Sequence, residues 1–165
     1  MYFRITSYLN FLLKSTNEHG VHSPFVFQFA TQCLYSKGKA HKSKSINILL
    51  KCIPYFDVSK MAILDHLQAA QTIMESFPDL EYDKPFDAVF ANQFDLFHFN
   101  QLVSEGKLHN DSVILIDGIY QNPQRQEQWQ SLITSPKITV SIDMYHLGAI
   151  FIRREQEKEH FTIRI

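Results

Sequence analysis

The sequence predicts an α/β protein: a mostly parallel sheet with an antiparallel C-terminal edge pair and an N-terminal helical appendage. Three observations carry that expectation. From residue 60 onward, short apolar runs alternate with segments of helical periodicity, the pattern of strand–helix units that build a parallel sheet. Two of the runs, 86–91 and 112–116, are apolar almost throughout, as strands covered on both faces are. The last two strand candidates, 138–143 and 147–153, are joined too tightly for a helical crossover, so they should run antiparallel.

The elements follow in order. Ile5, Tyr8, Leu9 and Leu12 recur at helical spacing, which makes residues 2–14 an amphipathic helix. Residues 17–22 break the chain around Gly20. Ser23 and Pro24 open a second helix as N-cap and first helical residue. Its buried stripe is Val26, Phe29, Ala30 and Cys33. The basic stretch 37–44 reads as a solvated linker. A short third helix spans 46–53 and stops near Pro54. Residues 1–53 thus form a helical segment appended to an α/β unit, 54–165, in one compact body.

Within that unit, Met61-Ala62-Ile63-Leu64 is a buried strand ending at Asp65. Leu67, Ala70, Met74 and Phe77 give the next helix one apolar face. Pro78 and Pro85 punctuate the loop before strand 86–91. Leu96, Phe99, Leu102 and Val103 mark a helix that leads into strand 112–117. Asn122-Pro123 caps a Gln-rich helix carrying Trp129, Leu132 and Ile133, and Pro136 ends it. After strands 138–143 and 147–153, a charged turn precedes a short final strand at 162–165.

Composition narrows the function classes. A chain of 165 residues has enough material for one good core. A net charge of −1 gives no basic field for nucleic acid. Arg4, Thr6, Ser7 and Asn10 interrupt the apolar N-terminus, so neither a signal peptide nor a membrane span is expected. Cys33 and Cys52 do not make a disulfide framework; as buried free thiols they fit a reducing cytoplasm. His19 and His22 sit three apart in a Gly-containing break with no third ligand at standard spacing, so no metal site is expected. There is no Gly-x-Ser-x-Gly elbow and no Walker loop, which disfavours hydrolase and NTPase chemistry.

Chemistry is expected at the carboxyl ends of the strands, where open α/β sheets bind ligands. Asp117 ends one apolar run beside Gly118. It serves there as a base or a one-carboxylate metal ligand, or it holds an Asp-Gly turn. Tyr120 faces the same crevice or packs as an ordinary aromatic. Asn92 follows strand 86–91 and either hydrogen-bonds a ligand or acts as a loop or cap residue. Asp143 and His146 flank the tight edge turn and should hydrogen-bond locally. None of the five glycines forms the Gly-rich turn on which a backbone wraps a nucleotide.

Three stretches carry a family resemblance: Asn17-Glu18-His19-Gly20-Val21-His22-Ser23-Pro24-Phe25-Val26-Phe27, residues 112–129, and residues 138–164. The match is most specific at Val140-Ser141-Ile142-Asp143 through Arg153-Arg154-Glu155 and at Glu159-His160-Phe161-Thr162. Together they resemble a Bacteroidetes-type group of class I S-adenosylmethionine-dependent methyltransferases, O-methyltransferase-like in character. The resemblance implies a Rossmann-like sheet, S-adenosylmethionine as cofactor and a small-molecule acceptor. In such a family a first strand ends in an acid and a glycine-rich turn that cradles the methionine end of the cofactor, and a second strand ends in an acid for the ribose. Between Tyr55 and Phe86 this chain has room for only one strand and one helix. Asp65, the cofactor-binding acid that the resemblance implies, answers to either strand, or caps the helix that follows. His66-Leu67-Gln68 stands where glycines are expected, Asn92 where a carboxylate is expected, and Asp117-Gly118 keeps one acid of a pair.

Methyl transfer is an in-line displacement at a sulfonium methyl and depends mostly on positioning. A Cβ in the cofactor turn collides with the cofactor or forbids positive φ, so losing the glycines matters more than losing a base. The expectation is a methyltransferase-like protein, degenerate, with weak or no cofactor binding and catalysis. One alternative is an active small-molecule O-methyltransferase with an atypical pocket around Asp117 and Tyr120. Another is a non-catalytic module that self-associates, as a homodimer, through surface left bare by the shortened sheet. No nucleic-acid or membrane partner is expected.

Overall fold

Side chains alternate across a strand, so a strand that is apolar on both sides needs two cores. In β2 (Phe86–Ala91) and β3 (Leu108–Asp117), Ala88, Phe90, Val113 and Leu115 enter one core, while Val89, Ala91, Ile114 and Ile116 enter the other. The computed structural model, which describes residues 2–165, covers both faces of a six-stranded sheet accordingly. Its other strands are β1 (Met61–Leu64), β4 (Val140–Asp143), β5 (Leu147–Phe151) and β6 (Glu159–Thr162). The order across the sheet is β1-β2-β3-β5-β4-β6. β1, β2 and β3 pair in parallel, β5 runs antiparallel to both β3 and β4, and β6 is parallel to β4. This is a Rossmann-like, mostly parallel α/β sheet. The antiparallel pair lies one strand in from the edge, because β6 adds itself outside β4.

Helices α2 (Pro24–Phe29, continued by a wide turn through Ala30–Leu34), α3 (Lys44–Tyr55) and α4 (Leu67–Ser76) pack on one face. Helices α5 (Leu96–Ser104) and α6 (Pro123–Ile133) pack on the other. Ser23 and Asn122 cap α2 and α6 as expected, accepting the N–H groups of Val26 and Arg125. The residues 26, 29, 30 and 33 are buried as the spacing predicts. Helix α3 is longer than expected, because Pro54 lies in its last turn, where a missing N–H forfeits a single bond. Cys33 and Cys52 are free and buried with their sulfurs 3.9 Å apart. No helix among the described residues is long and apolar enough to cross a membrane.

Two helices turn a different face inward from the one their periodicity suggests. In α4, Ala69 and Ile73 are buried, whereas Leu67 and Met74 are 75% and 61% exposed. The sequence holds two competing apolar stripes, and the one beginning with the small Ala69 seats against the sheet. In α1 (Tyr2–Lys14), the buried residues are Ser7 and Phe11; of the predicted stripe, Ile5, Tyr8 and Leu9 are exposed and Leu12 is half-buried.

Between α4 and β2 the chain touches the outer flank of β1 at one residue. The Glu81 N–H bonds the Ser59 carbonyl and the Met61 N–H bonds the Glu81 carbonyl, each at 2.9 Å, making a parallel bridge to Lys60. The opposite flank belongs to β2, through Asp87 N–H on the Lys60 carbonyl at 2.8 Å. Residues 83–85 then lead directly into β2. A second parallel strand outside β1 is thus one residue pair long, which is how a single strand and helix fill the space between Tyr55 and Phe86.

Candidate functional site: a cross-linked crevice and a remaining cleft

The parallel strands deliver Asp65, Asn92, Asp117 and Asp143 to one end of the sheet, and the turn between β4 and β5 adds Tyr145 and His146 there. What these groups can do depends on how they are already engaged.

At the end of β1, Asp65 has φ +52°, the left-handed conformation that favours glycine. Its side chain is exposed. The cap of α4 is the next residue, His66, whose Nδ1 accepts the Ala69 N–H at 3.2 Å. With Nδ1 accepting, the ring proton sits on Nε2, which donates to Asp117 Oδ2 at 3.1 Å. The other carboxylate oxygen of Asp117 accepts the Ser45 hydroxyl at 2.5 Å. Ser45 is buried in the first turn of α3. Asp117 therefore joins α3, β3 and the start of α4, with both oxygens engaged. The His66 ring also lies over Phe90, with centroids 5.2 Å apart.

Asn92, at the end of β2, is held in the same way. Both terminal nitrogens of Arg125 donate to its Oδ1 at 3.2 Å, and one also reaches the Asp117 carbonyl at 3.3 Å. Burial pulls the Arg125 guanidinium below its ordinary value, while the Asp117 charge opposes that shift. The void beside Asn92, Ile116 and Trp129 measures about 10 Å³, room for one water. Gly118 (φ +67°) makes the turn after Asp117, and a Cβ there would meet the Arg125 guanidinium at 2.8 Å.

Tyr120 points away from this crevice. Its hydroxyl donates to Asp143 Oδ2 at 2.6 Å, and its ring stacks on Tyr145 at 5.0 Å. Asp143 is only 2% exposed and also accepts the Tyr145 N–H at 2.8 Å, the local bonding expected at the edge turn. Burial raises its carboxyl above the usual range, against the pull of Tyr120 and the Tyr145 N–H. Burial and the Asp143 charge in turn push the Tyr120 phenol far up. It is a hydrogen-bond donor, not a base.

Beside the crevice lies a cleft of about 450 Å³, between α1, the start of α3 and the turns after β3 and β4. Arg4, Lys44, Asp117, Tyr145 and His146 are on its walls. Burial holds His146 below its ordinary value, helped by Lys44 and opposed by Asp117. Of the residues singled out in the sequence, Asp117 and Tyr120 line this cleft, and Asp65 and Asn92 do not. Sequence reasoning did not identify Ser45, His66 or Arg125. The one available signal was His66-Leu67-Gln68 in place of glycines: a side chain where backbone is expected has to occupy space. Among the described residues, no three His, Cys, Asp or Glu side chains converge to hold a metal ion.

No family model matches the sequence. No curated protein matches it either. Five chains among solved structures do match. One is the SAH-bound methyltransferase PaMTH1 of Podospora anserina, with a TM-score of 0.51 and 8% identity, over 91% of this chain and 94% of that one. At that identity the likeness concerns the fold alone, a Rossmann-like α/β sheet flanked by helices.

Proposed function

We propose that this chain is a methyltransferase-like protein whose cofactor crevice is closed by its own side chains, so that S-adenosylmethionine binding is weak or absent. One observation carries the reading: the ends of β1, β2 and β3 are tied together by His66–Asp117–Ser45 and Arg125–Asn92. A cofactor lying there would have to break charged hydrogen bonds, at a cost of about 1.5–3 kcal/mol for each. The outer strand supports the same reading. In the resemblance, Asp65 then answers to the acid of the first strand, and the strand that would bring the ribose acid is the single pair Glu81–Lys60. Positioning is most of methyl-transfer catalysis, so a crevice that cannot seat the sulfonium leaves little for a base to do. Titration calorimetry with S-adenosylmethionine tests this, and micromolar binding would contradict it.

The cleft beside Asp117 favours a second reading, an O-methyltransferase with an atypical pocket. In that case Asp117→Ala removes turnover of an acceptor while the chain stays folded.

A further inference from the structure

We propose that the cleft between α1, the start of α3 and the turns after β3 and β4 binds a small molecule through a phosphate monoester, with Arg4 and Lys44 as the groups that hold the phosphate. The cleft measures about 450 Å³, the size of a small-molecule site. Three cations line it, Arg4, Lys44 and Arg125, against one carboxylate, Asp117. The whole chain has a net charge of −1, so this positive excess is concentrated in the cleft and is not a general property of the surface. Among the described residues, neither Arg4 nor Lys44 makes an ion pair. Arg125 donates to the neutral Asn92 amide and to a backbone carbonyl, which leave its charge in place. Asp117 commits both oxygens to Ser45 and His66. His146, on the same wall, is held below its ordinary value by burial first and then by Lys44 and Arg4, so both cations act on one imidazole.

The walls are held in place by bonds that no ligand has to make. The Tyr145 hydroxyl donates to the Arg4 carbonyl at 2.8 Å and ties α1 to the turn between β4 and β5. The Ser45–Asp117 bond ties the first turn of α3 to β3. In that turn Ser43 takes the N–H groups of Ile46 and Asn47, and those of Lys44 and Ser45 have no acceptor among the described residues. The positive end of the helix adds to the two side chains and does not replace them. A monocarboxylate leaves part of the excess charge unmatched, whereas a phosphate monoester carries about −1.5 to −2 at pH 7 and accepts the forked donors of an arginine. The stacked rings of Tyr120 and Tyr145 on the wall give the organic part of the ligand an apolar contact. Phosphate binding here does not depend on a closed crevice, so a failed titration with phosphate or with S-adenosylmethionine leaves the other result standing.

The test is a ligand-observed NMR titration of the full chain with phenyl phosphate, and with benzoate as the carboxylate of similar shape. Phenyl phosphate should bind saturably with a Kd below about 1 mM, and about tenfold more tightly than benzoate. Inorganic phosphate should displace it. Arg4→Gln and Lys44→Gln should each weaken phenyl phosphate about tenfold, the loss of one charged hydrogen bond. Both side chains are exposed, so the variants keep the wild-type circular dichroism. Lys39→Gln, in the basic stretch outside the cleft, should bind as the wild type does. No saturable binding at about 10 mM phenyl phosphate, well above that Kd, would overturn the proposal. So would equal affinity for benzoate, failure of inorganic phosphate to compete, binding that ignores Arg4→Gln and Lys44→Gln, or an equal loss in Lys39→Gln, which would make the contact a diffuse basic surface.

Discussion

His66 Nε2 and Asp117 Oδ2, which start on strands two apart in the sheet, lie 3.1 Å from each other across the end of β2. The contact fixes an imidazole across the strand ends, beside the cleft that Asp117 also lines. If it closes the crevice, it also supports the fold. His66→Ala removes the α4 cap and the Asp117 bond together and should cost about 1–3 kcal/mol. Asp117→Ala should cost a similar amount. In a double-mutant cycle by urea denaturation the two should couple by about 0.5–3 kcal/mol, since they share a hydrogen bond. Additive losses would mean that the contact contributes nothing.

The Tyr120–Asp143 pair makes a pH-dependent prediction. Burial raises Asp143 in the folded state, so the folded chain holds its proton to higher pH than the unfolded chain does. This group therefore lowers stability as pH rises from the ordinary carboxylate range through its raised value. Tyr120→Phe removes a bond that favours the charged carboxylate. Its destabilisation, about 1.5–3 kcal/mol for a bond to a charged group, should appear at pH 7 and shrink toward pH 4. Urea midpoints at the two pH values read this directly, and an equal loss at both would contradict it.

His146 has the opposite sign. It is held below its ordinary value by burial first, then by Lys44. The unfolded chain thus binds the proton first, and stability falls as pH drops below about 6.5. His146→Gln should flatten that part of a pH–stability profile.

Gly148 faces the Trp129 ring, and a Cβ there would lie 2.5 Å from it. Both residues sit deep in the sheet–α6 contact, where overpacking costs about 1–3 kcal/mol. Gly148→Ala should lower the thermal midpoint by several degrees, about 2–4 °C per kcal/mol in a chain of this size.

Thiol chemistry offers an independent check on the core. Cys52 is buried and its thiol is pushed well up, by burial first and by Cys33 next. Ellman's reagent should leave both cysteines untouched in the folded chain and label both in urea.

Much of the fold was legible because it depends on local signals. Runs 86–91 and 112–117, the Ser23 and Asn122 caps, and the tight link between β4 and β5 each specify their element without help from distant residues. Helix orientation was less legible. Leu67 and Ala69 both continue into apolar stripes on α4, and only the sheet decides which is buried. In α1 three residues of the regularly spaced stripe, Ile5, Tyr8 and Leu9, are left outside, and only Leu12 turns partly inward. The site was legible in its strand ends and not in its partners. Ser45 and His66 reach Asp117 from 72 and 51 residues away, and no local pattern predicts such contacts. Nor could spacing reveal that Tyr120 turns to Asp143, or that Arg125 clamps Asn92 from the first turn of α6.

The most direct measurement is calorimetric titration of the intact chain with S-adenosylmethionine. A closed crevice predicts no saturable heat at micromolar ligand. Saturable one-to-one binding in that range would contradict the account, and it would mean that His66 and Arg125 swing clear of the strand ends.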